Sequence, residues 1–330
     1  MLSAQDLLNQ GCYVLADIGG TNARFAYVTE SDASLQCVHS YACSEYERFE
    51  DTLIAYIARL EQTAAPKPSS ICLAVAAAVH TDTIKMTNSP WQFSRKALSE
   101  LVNLPIAVLN DFSAQAYCLT DLEHANVQWW QQALPSHTLA KPALHARSIL
   151  GPGTGFGGST ILPSGEILES EPGHLSFAPV NSHEAALLTL LWKRFPRISI
   201  EHLLSGPGLA NLYWANAQLL HLDGELLAAD IVAGAERGDE LCLQSIADFT
   251  GIMGSVCGDI ALVTGSLSGL FLSGAMLTKM DRLFDQRLFM TRFTDKGPFS
   301  SWCSSVPVGR IRADYPGLLG CAAFCRSFHD

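Results

Sequence analysis

Basic residues are scarce in this chain. It carries 21 lysines and arginines against 32 aspartates and glutamates, which gives a formal net charge of −11. No cluster of lysine or arginine interrupts this balance. A negatively charged surface argues against nucleic acid or an anionic membrane as a partner. An anionic substrate would therefore need local backbone donors and a metal ion.

The sequence also lacks the patterns of a disulfide or zinc scaffold. Its ten cysteines include no C-x-x-C pair, and a chain of 330 residues is too large to require disulfide staples. We therefore expect free thiols in a reducing cytosol and no structural zinc site. Residues 1–11 contain Gln, Asp and Asn where a signal peptide needs an apolar core, so no targeting segment is expected and the location predicted is cytoplasmic.

Charge is missing altogether from residues 260–278, as it would be in a membrane span. Glycines and serines interrupt the middle of this stretch, which favours a helix end, a turn and a short buried strand over residues 270–272. The chain as a whole is 48% apolar and 16% charged, with no visible internal repeat. This composition and length predict a well-packed enzyme of two lobes with a cleft between them.

A glycine-rich segment near the start, YVLADIGGTNARFAYV, predicts a strand, a turn and a returning strand. Gly19 and Gly20 lack Cβ atoms, so they can adopt positive φ and let backbone N–H groups face an anion. The Thr21 hydroxyl and the Asn22 amide add further donors. The segment predicts a phosphate site, although an ordinary hairpin turn is the alternative.

Asp17 ends the first of these strands. A bare carboxylate repels phosphate, so Asp17 is better suited to hold Mg²⁺ or the water shell of that ion. A second glycine-rich turn, ILGPGTGFGGS, has Gly153, Thr154 and Gly155 at its centre, and a simple hairpin is again the alternative. Two such turns about a domain's length apart can hold a phosphate chain from both lobes.

Asn110 and Asp111 follow a buried strand predicted over residues 104–109. Open α/β sheets place their ligands at the carboxyl ends of strands. Asp111 is therefore a candidate general base that accepts a proton from an attacking hydroxyl. The alternative is that Asp111 caps the helix that begins there.

Three later residues have side chains that can bind a polyol. Glu171 and His174 flank a Pro-Gly turn, and together they can accept and donate hydrogen bonds to vicinal hydroxyls. Glu201 lies in the first turn of a short helix, where a carboxylate also interacts favourably with the helix dipole. Further on, FLSGAM predicts a strand meeting a glycine turn that begins a helix, a suitable floor for a purine.

Eight segments in register, DIGGTNAR, MTNSPWQFS, LNDFSAQA, GPGTGFGG, EPGHLSFAP, HLLSGPGLANLY, FLSGAM and DYPGLLG, closely resemble those of bacterial glucokinases. The resemblance implies the two-lobed α/β fold of the sugar kinases and actin-like ATPases (ribonuclease H-like), with an inter-lobe cleft. It also implies a small lobe of residues 1–121 completed by the C-terminal helix 314–330, a large lobe of residues 122–313, and a homodimer.

The resemblance further implies ATP-dependent phosphorylation of glucose to glucose 6-phosphate with Mg²⁺, and Asp111 is then the base that deprotonates the 6-hydroxyl. The implied sugar-binding residues are Asn88, Asn110, Asp111, Glu171, His174 and Glu201. The implied ATP-binding residues are Asp17, Gly19, Gly20, Thr21, Gly153, Thr154, Gly155 and Gly274. Asn22, whose amide is a further candidate donor, follows Thr21 in the first of these turns.

The sequence departs from the family pattern at three places. Ala275 replaces a second glycine of the adenosine motif, Pro172 replaces the glycine after the sugar-binding Glu, and a family proline is replaced near Ala78. These changes leave open a kinase for another hexose. A non-catalytic, sugar-responsive regulator is the other alternative, against which stand the acidic charge and the short segment before the first strand.

Overall fold

The computed structural model describes residues 11–87, 89–131 and 143–327. The thirteen β-strands of this described part are β1 (Cys12–Ile18), β2 (Asn22–Thr29), β3 (Gln36–Ala42), β4 (Pro68–Val75), β5 (Thr83–Lys85), β6 (Gln92–Ser94), β7 (Ile106–Asn110), β8 (Val127–Gln131), β9 (Arg147–Pro152), β10 (Phe156–Ile161), β11 (Ile167–Ser170), β12 (Leu270–Leu272) and β13 (Val308–Ile311). Its eleven α-helices are α1 (Phe49–Glu61), α2 (Arg95–Val102), α3 (Asp111–Asp121), α4 (Ser182–Leu191), α5 (Gly206–Leu219), α6 (Ala228–Glu236), α7 (Glu240–Thr264), α8 (Ala275–Lys279), α9 (Gln286–Thr294), α10 (Ser300–Ser304) and α11 (Pro316–Arg326).

The described chain divides into two compact units. The first unit comprises residues 11–123 and 313–327, and the second comprises residues 124–131 and 143–312. The first therefore holds β1–β7, α1–α3 and α11, and the second holds β8–β13 and α4–α10. The lobe limits expected from the sequence resemblance stay a prediction.

The main sheet of the first unit has the strand order β3-β2-β1-β4-β7. Strands β1, β2 and β3 form an antiparallel meander, and β4 and β7 run parallel beside β1. One face of the sheet is covered by aromatic side chains, with Phe25 stacked on Tyr56 and the Phe49 and Phe93 rings 4.8 Å apart. The sequence "CYVLADI" of β1 is apolar because the strand is covered on both faces.

Helix α11 covers the other face together with α3. Leu318 and Cys321 of α11 are fully buried in the core of this face. A Cβ added at Gly320 would lie 1.7 Å from the Ala114 backbone oxygen, so the two helix backbones are in direct contact there. This close packing fixes the position of α3, whose first residue is Asp111.

The second unit contains a sheet of order β11-β10-β9-β12-β13-β8. Its first five strands repeat the topology of the first unit: β9, β10 and β11 form the meander, and β12 and β13 run parallel beside β9. The first hairpin of each meander contains one of the two glycine-rich turns. This repeat is invisible in the amino-acid sequence.

Helix α7 is long and apolar enough to cross a membrane by composition alone. However, 72% of its most apolar window is buried inside the second unit. Phe249 and Met253 of α7 belong to the same core as Phe289 and Phe293 of α9, so core packing accounts for the composition. The helix ends at Thr264 and the strand β12 follows at Leu270, which confirms the helix, turn and strand predicted for the uncharged stretch.

One segment differs from its prediction. The polar residues and two prolines of residues 121–146 predict an irregular crossing between lobes, yet Val127–Gln131 form β8, which pairs antiparallel with β13. The adjacent Trp129 and Trp130 conceal the alternation of a half-buried strand.

All ten cysteines are free thiols, and nine of them are buried.

Candidate functional site

The first glycine-rich turn links β1 and β2. Ile18 pairs with Ala23 across the turn, and the Gly19 N–H donates to the Asn22 carbonyl oxygen at 3.0 Å. Neither Gly19 nor Gly20 has a positive φ, so the turn does not use the left-handed backbone that glycine permits. The small residues leave the turn unobstructed, and Thr21 is exposed while Asn22 is half-buried.

Asp17 lies at the carboxyl end of β1 with its side chain 23% exposed. Arg24 approaches it at 4.0 Å, and a Cβ added at Gly317 would lie 2.9 Å from its Cγ. Burial raises the pKa of the Asp17 carboxyl, and Arg24 opposes this increase. A cation beside the carboxylate would remove much of the cost of its buried charge.

The donor chemistry of Asp17 fits Mg²⁺, which prefers oxygen ligands. The described residues contain no group of three or more His, Cys, Asp or Glu able to hold a metal. A magnesium ion at Asp17 would therefore depend on phosphate oxygens and water for its remaining ligands, as is usual for magnesium in phosphoryl-transfer sites.

Asn110 and Asp111 lie at the junction of β7 and α3. Asn110 is the N-cap, because its Oδ1 accepts from the N–H groups of Phe112 at 2.9 Å and Ser113 at 3.2 Å. The alternative in which Asp111 is the cap is therefore wrong. Asp111 is the first helical residue, and its Oδ1 accepts from the Phe112 N–H at 3.0 Å. The positive end of the helix dipole favours its anionic form.

The second glycine-rich turn, residues 153–155, links β9 and β10. The Gly153 N–H donates to the Gly155 oxygen at 2.7 Å, and the Gly153 oxygen accepts from the Gly206 N–H at 2.9 Å. Thr154 is exposed at its tip. Gly274, with a φ of +119°, lies against this turn, since an added Cβ would be 2.5 Å from the Pro152 oxygen. The predicted order of strand, glycine and helix is confirmed here by β12, Gly274 and α8.

Glu201 reaches the same turn from the 3-10 turn Ile200–His202. Its Oε2 accepts from the Phe156 N–H at 2.9 Å. A Cβ added at Gly155 would lie 2.2 Å from that oxygen. The carboxylate therefore occupies the space beside Gly155 and is fixed to the backbone that leaves the turn.

Glu171 immediately precedes a second 3-10 turn, Pro172–His174, and His174 ends it; both side chains are exposed. Pro172, one of the departures from the family pattern, begins this turn. The turn is joined to the segment of Glu201, because the Phe177 N–H donates to the Ile198 oxygen at 3.0 Å. The three residues predicted to bind sugar hydroxyls in the second unit thus lie on neighbouring segments.

Arg197 connects these segments, although its sequence context does not indicate a functional residue. Its Nη2 donates to the His174 oxygen at 2.7 Å and to the Ser176 Oγ at 3.2 Å. The charges of Glu201, His174 and Arg197 all act on the pKa of His202, which burial lowers. No local motif around Arg197 predicts that it joins these segments, since its partners His174 and Ser176 lie more than 20 residues away in the chain.

Asn88, the remaining residue of the predicted sugar-binding set, lies outside the described residues. Ala275, a second departure from the family pattern, is the first residue of α8. Its side chain replaces a hydrogen at the position next to Gly274.

Each unit thus has a β-meander whose first hairpin contains a glycine-rich turn with an exposed threonine. This repeated α/β arrangement is the fold of the actin-like ATPase class, which includes sugar kinases. The Glucokinase family model matches residues 14–328. The chain belongs to the Glucokinase family.

Individual relatives agree with this assignment. The chain is 35% identical to a glucokinase of Chromohalobacter salexigens, over 96% of this chain and 97% of that protein. It is 33% identical to the bifunctional protein glk of Burkholderia thailandensis, of which it spans 48%. The crystal structure of a glucokinase from an Antarctic psychrotroph matches with a TM-score of 0.84 and 33% identity, over 96% of this chain and 99% of the other.

Proposed function

We propose that this protein transfers the γ-phosphoryl group of ATP to the 6-hydroxyl of D-glucose, giving glucose 6-phosphate and ADP. The observation that carries this proposal is the match to the Glucokinase family over residues 14–328. The exposed threonines and carboxylates of the two units supply the hydrogen-bonding groups that this reaction needs.

Asp111 is the general base in this proposal. Its Oδ1 is fixed by the Phe112 N–H, and the start of α3 favours the anion that accepts a proton from the sugar hydroxyl. Asn110 contributes as a donor through one N–H of Nδ2, because its Oδ1 already accepts two backbone N–H groups and its Nδ2 donates to the Ala77 carbonyl oxygen at 3.4 Å. The other hydroxyls are assigned to Asn88, Glu171, His174 and Glu201.

ATP binding is assigned to the two glycine-rich turns and the α8 start. The residues are Gly19, Gly20, Thr21, Asn22, Gly153, Thr154, Gly155 and Gly274. Asp17 would hold Mg²⁺, which supplies positive charge to the transferring phosphoryl group when bound. The exposed Thr21 and Thr154 hydroxyls donate to phosphate oxygens.

The proposal includes a cytoplasmic homodimer that binds neither nucleic acid nor membrane. Light scattering during gel filtration is expected to give about twice the chain mass of 35.7 kDa. A mass of one chain at micromolar concentration would contradict the dimer without affecting the proposed reaction.

The test of the reaction is ADP release with Mg-ATP and a panel of glucose, mannose, fructose, N-acetylglucosamine and no sugar. Release that depends most strongly on glucose supports the proposal. Dependence on another hexose would change the substrate and keep the reaction. A folded protein that binds sugar but releases no ADP would be a regulator, which a DNA gel shift would test.

The role of Asp111 is tested by Asp111→Asn. The amide keeps an acceptor for the Phe112 N–H but cannot take up a proton, so kcat is expected to fall roughly 10²- to 10⁴-fold. Glucose affinity, measured by calorimetry, should change much less. A kcat close to that of the unchanged protein would contradict the assignment.

A further inference from the structure

The Glu201 carboxylate occupies a space that exists because residue 155 has no side chain. A Cβ added there would lie 2.2 Å from Oε2 and 3.0 Å from Cδ of Glu201. Gly155 does not have a positive φ, so its backbone would accept an alanine. The position therefore requires glycine for room and not for conformational freedom.

The two oxygens of this carboxylate have different surroundings. Oε2 accepts from the Phe156 N–H at 2.9 Å. Within residues 11–87, 89–131 and 143–327, no protein group forms a hydrogen bond to Oε1. The backbone beneath is also held, because the Ser205 Oγ donates to the Glu201 carbonyl oxygen at 2.8 Å. Glu201 thus keeps one acceptor oxygen available in a fixed orientation.

We propose that Gly155, in the turn assigned to ATP, is also a positioning residue for the sugar. By leaving room for the contact between Oε2 and the Phe156 N–H, it holds Oε1 of Glu201 where a sugar hydroxyl is bound. This inference rests on the proposed function, in which Glu201 contacts glucose. It predicts that a change in the ATP-binding turn weakens sugar binding when no nucleotide is present.

Gly153 provides a matched control in the same turn. It also lacks a positive φ, and a Cβ added there would meet nothing within 4 Å. An alanine at 153 therefore adds the same methyl group to the turn without touching Glu201. Comparison of the two alanine variants separates a general effect on the turn from displacement of the carboxylate.

The experiment is calorimetric glucose binding without nucleotide, on the unchanged protein, Gly155→Ala and Gly153→Ala. Loss of a fixed acceptor in a charge-assisted hydrogen bond predicts roughly 10- to 100-fold weaker binding for Gly155→Ala. Gly153→Ala should bind as the unchanged protein does. Unchanged affinity of Gly155→Ala, or an equal loss in Gly153→Ala, would overturn the inference. Failure of the unchanged protein to bind glucose would instead overturn the proposed function, and this inference with it.

A double-mutant cycle tests whether the effect passes through Glu201. Glu201→Ala removes the carboxylate, so adding Gly155→Ala to it should cause no further loss of glucose affinity. Additive losses would overturn the inference. If Gly155→Ala alone does not fold, recovery of folding in the double variant would support the clash with Glu201, and failure of both would overturn it.

Discussion

Asn110 combines helix capping with the proposed binding of sugar. Its Oδ1 accepts two N–H groups at the start of α3, so Asn110→Ala should destabilise the fold by about 1 kcal/mol. The comparison variant is Ser94→Ala, which removes the N-cap of α2, where Ser94 Oγ accepts from the Ala97 N–H at 3.1 Å and donates to Asp82 Oδ2 at 2.5 Å. Urea unfolding should show at least as large a loss for Ser94→Ala, because the hydrogen bond to Asp82 is lost together with the cap.

The two cap variants should differ in catalysis. The glucose KM is expected to rise for Asn110→Ala, because the Nδ2 donor is also lost, and to stay unchanged for Ser94→Ala. Steady-state kinetics at saturating ATP provides the measurement. An unchanged KM for Asn110→Ala would restrict this residue to capping.

Asp17 is expected to cost the ligand-free protein stability. Burial raises the pKa of its carboxyl above the ordinary value of 3.8. The fold therefore favours the protonated carboxyl. This favourable contribution to the free energy of unfolding is fully present below the unfolded-state pKa and is lost as the pH rises through the folded-state pKa. At about pH 7 the ionised, partly buried carboxylate destabilises the fold.

The variant Asp17→Asn removes this cost. Without metal and nucleotide it should have a higher Tm than the unchanged protein at about pH 7, and the difference should shrink as the pH falls toward the ordinary value of 3.8. Differential scanning fluorimetry across this pH range measures it. The variant should also lose most of its activity. A lower Tm at neutral pH would show that the attraction of Arg24 outweighs burial.

At the scale of elements, Arg197 holds the 3-10 turn Pro172–His174 in place. Arg197→Ala removes the hydrogen bonds to the His174 oxygen and the Ser176 hydroxyl. Because Arg197 is exposed, we expect a cost of about 1 kcal/mol, seen as a rise of roughly 3- to 10-fold in the glucose KM with an unchanged KM for ATP.

The matched control for Arg197 is Arg194→Ala on the same connection. Arg194 pairs with Glu225 and lies over the Trp214 ring at 3.7 Å, and within the described residues no hydrogen bond or ion pair joins its side chain to the turn. Its glucose KM should stay the same. An equal rise in both variants would indicate a general effect of lost positive charge.

Elements with a strong local signal are predicted well by the sequence. The strand β12 is found over Leu270–Leu272 as predicted. Ser94 directly precedes a helical pattern, which predicts it as an N-cap, and it is the cap of α2, since a cap is a contact between near neighbours. Strand β8 is missed because its two tryptophans break the alternation. Helix α4 is missed although Asn181 is an N-cap of the usual type.

In the candidate site as well, features within a few residues of sequence are predictable and contacts between distant residues are not. Both glycine-rich turns lie within a few residues of sequence, so the pattern alone predicts them. The hydrogen bond from Phe156 to Glu201 joins residues 45 positions apart, and no local pattern contains it. The choice between Asn110 and Asp111 as cap depends on where β7 ends, because both side chains are good caps.

At the scale of the whole molecule, one sheet topology serves two sets of functional groups. The repeated strand order needs only the same succession of apolar strands and turns, which unrelated residues can supply, so the sequence shows no repeat. The first unit adds the carboxylates of Asp17 and Asp111 to its sheet. The second adds Glu171, His174 and Glu201, whose acceptors suit a polyol.

Ligand binding is expected to stabilise the whole protein by mass action. Glucose at about 100 times its Kd should raise the free energy of unfolding by about 2.7 kcal/mol, because it binds the folded state alone. L-glucose is the matched control, since it has the same composition and polarity but presents mirror-image hydroxyls that cannot all meet fixed acceptors. Thermal unfolding with each enantiomer provides the measurement. An equal rise in Tm with both would indicate a nonspecific effect of the polyol and would contradict a built sugar site, whereas a rise with D-glucose alone that disappears in Glu201→Ala would support the assigned acceptors.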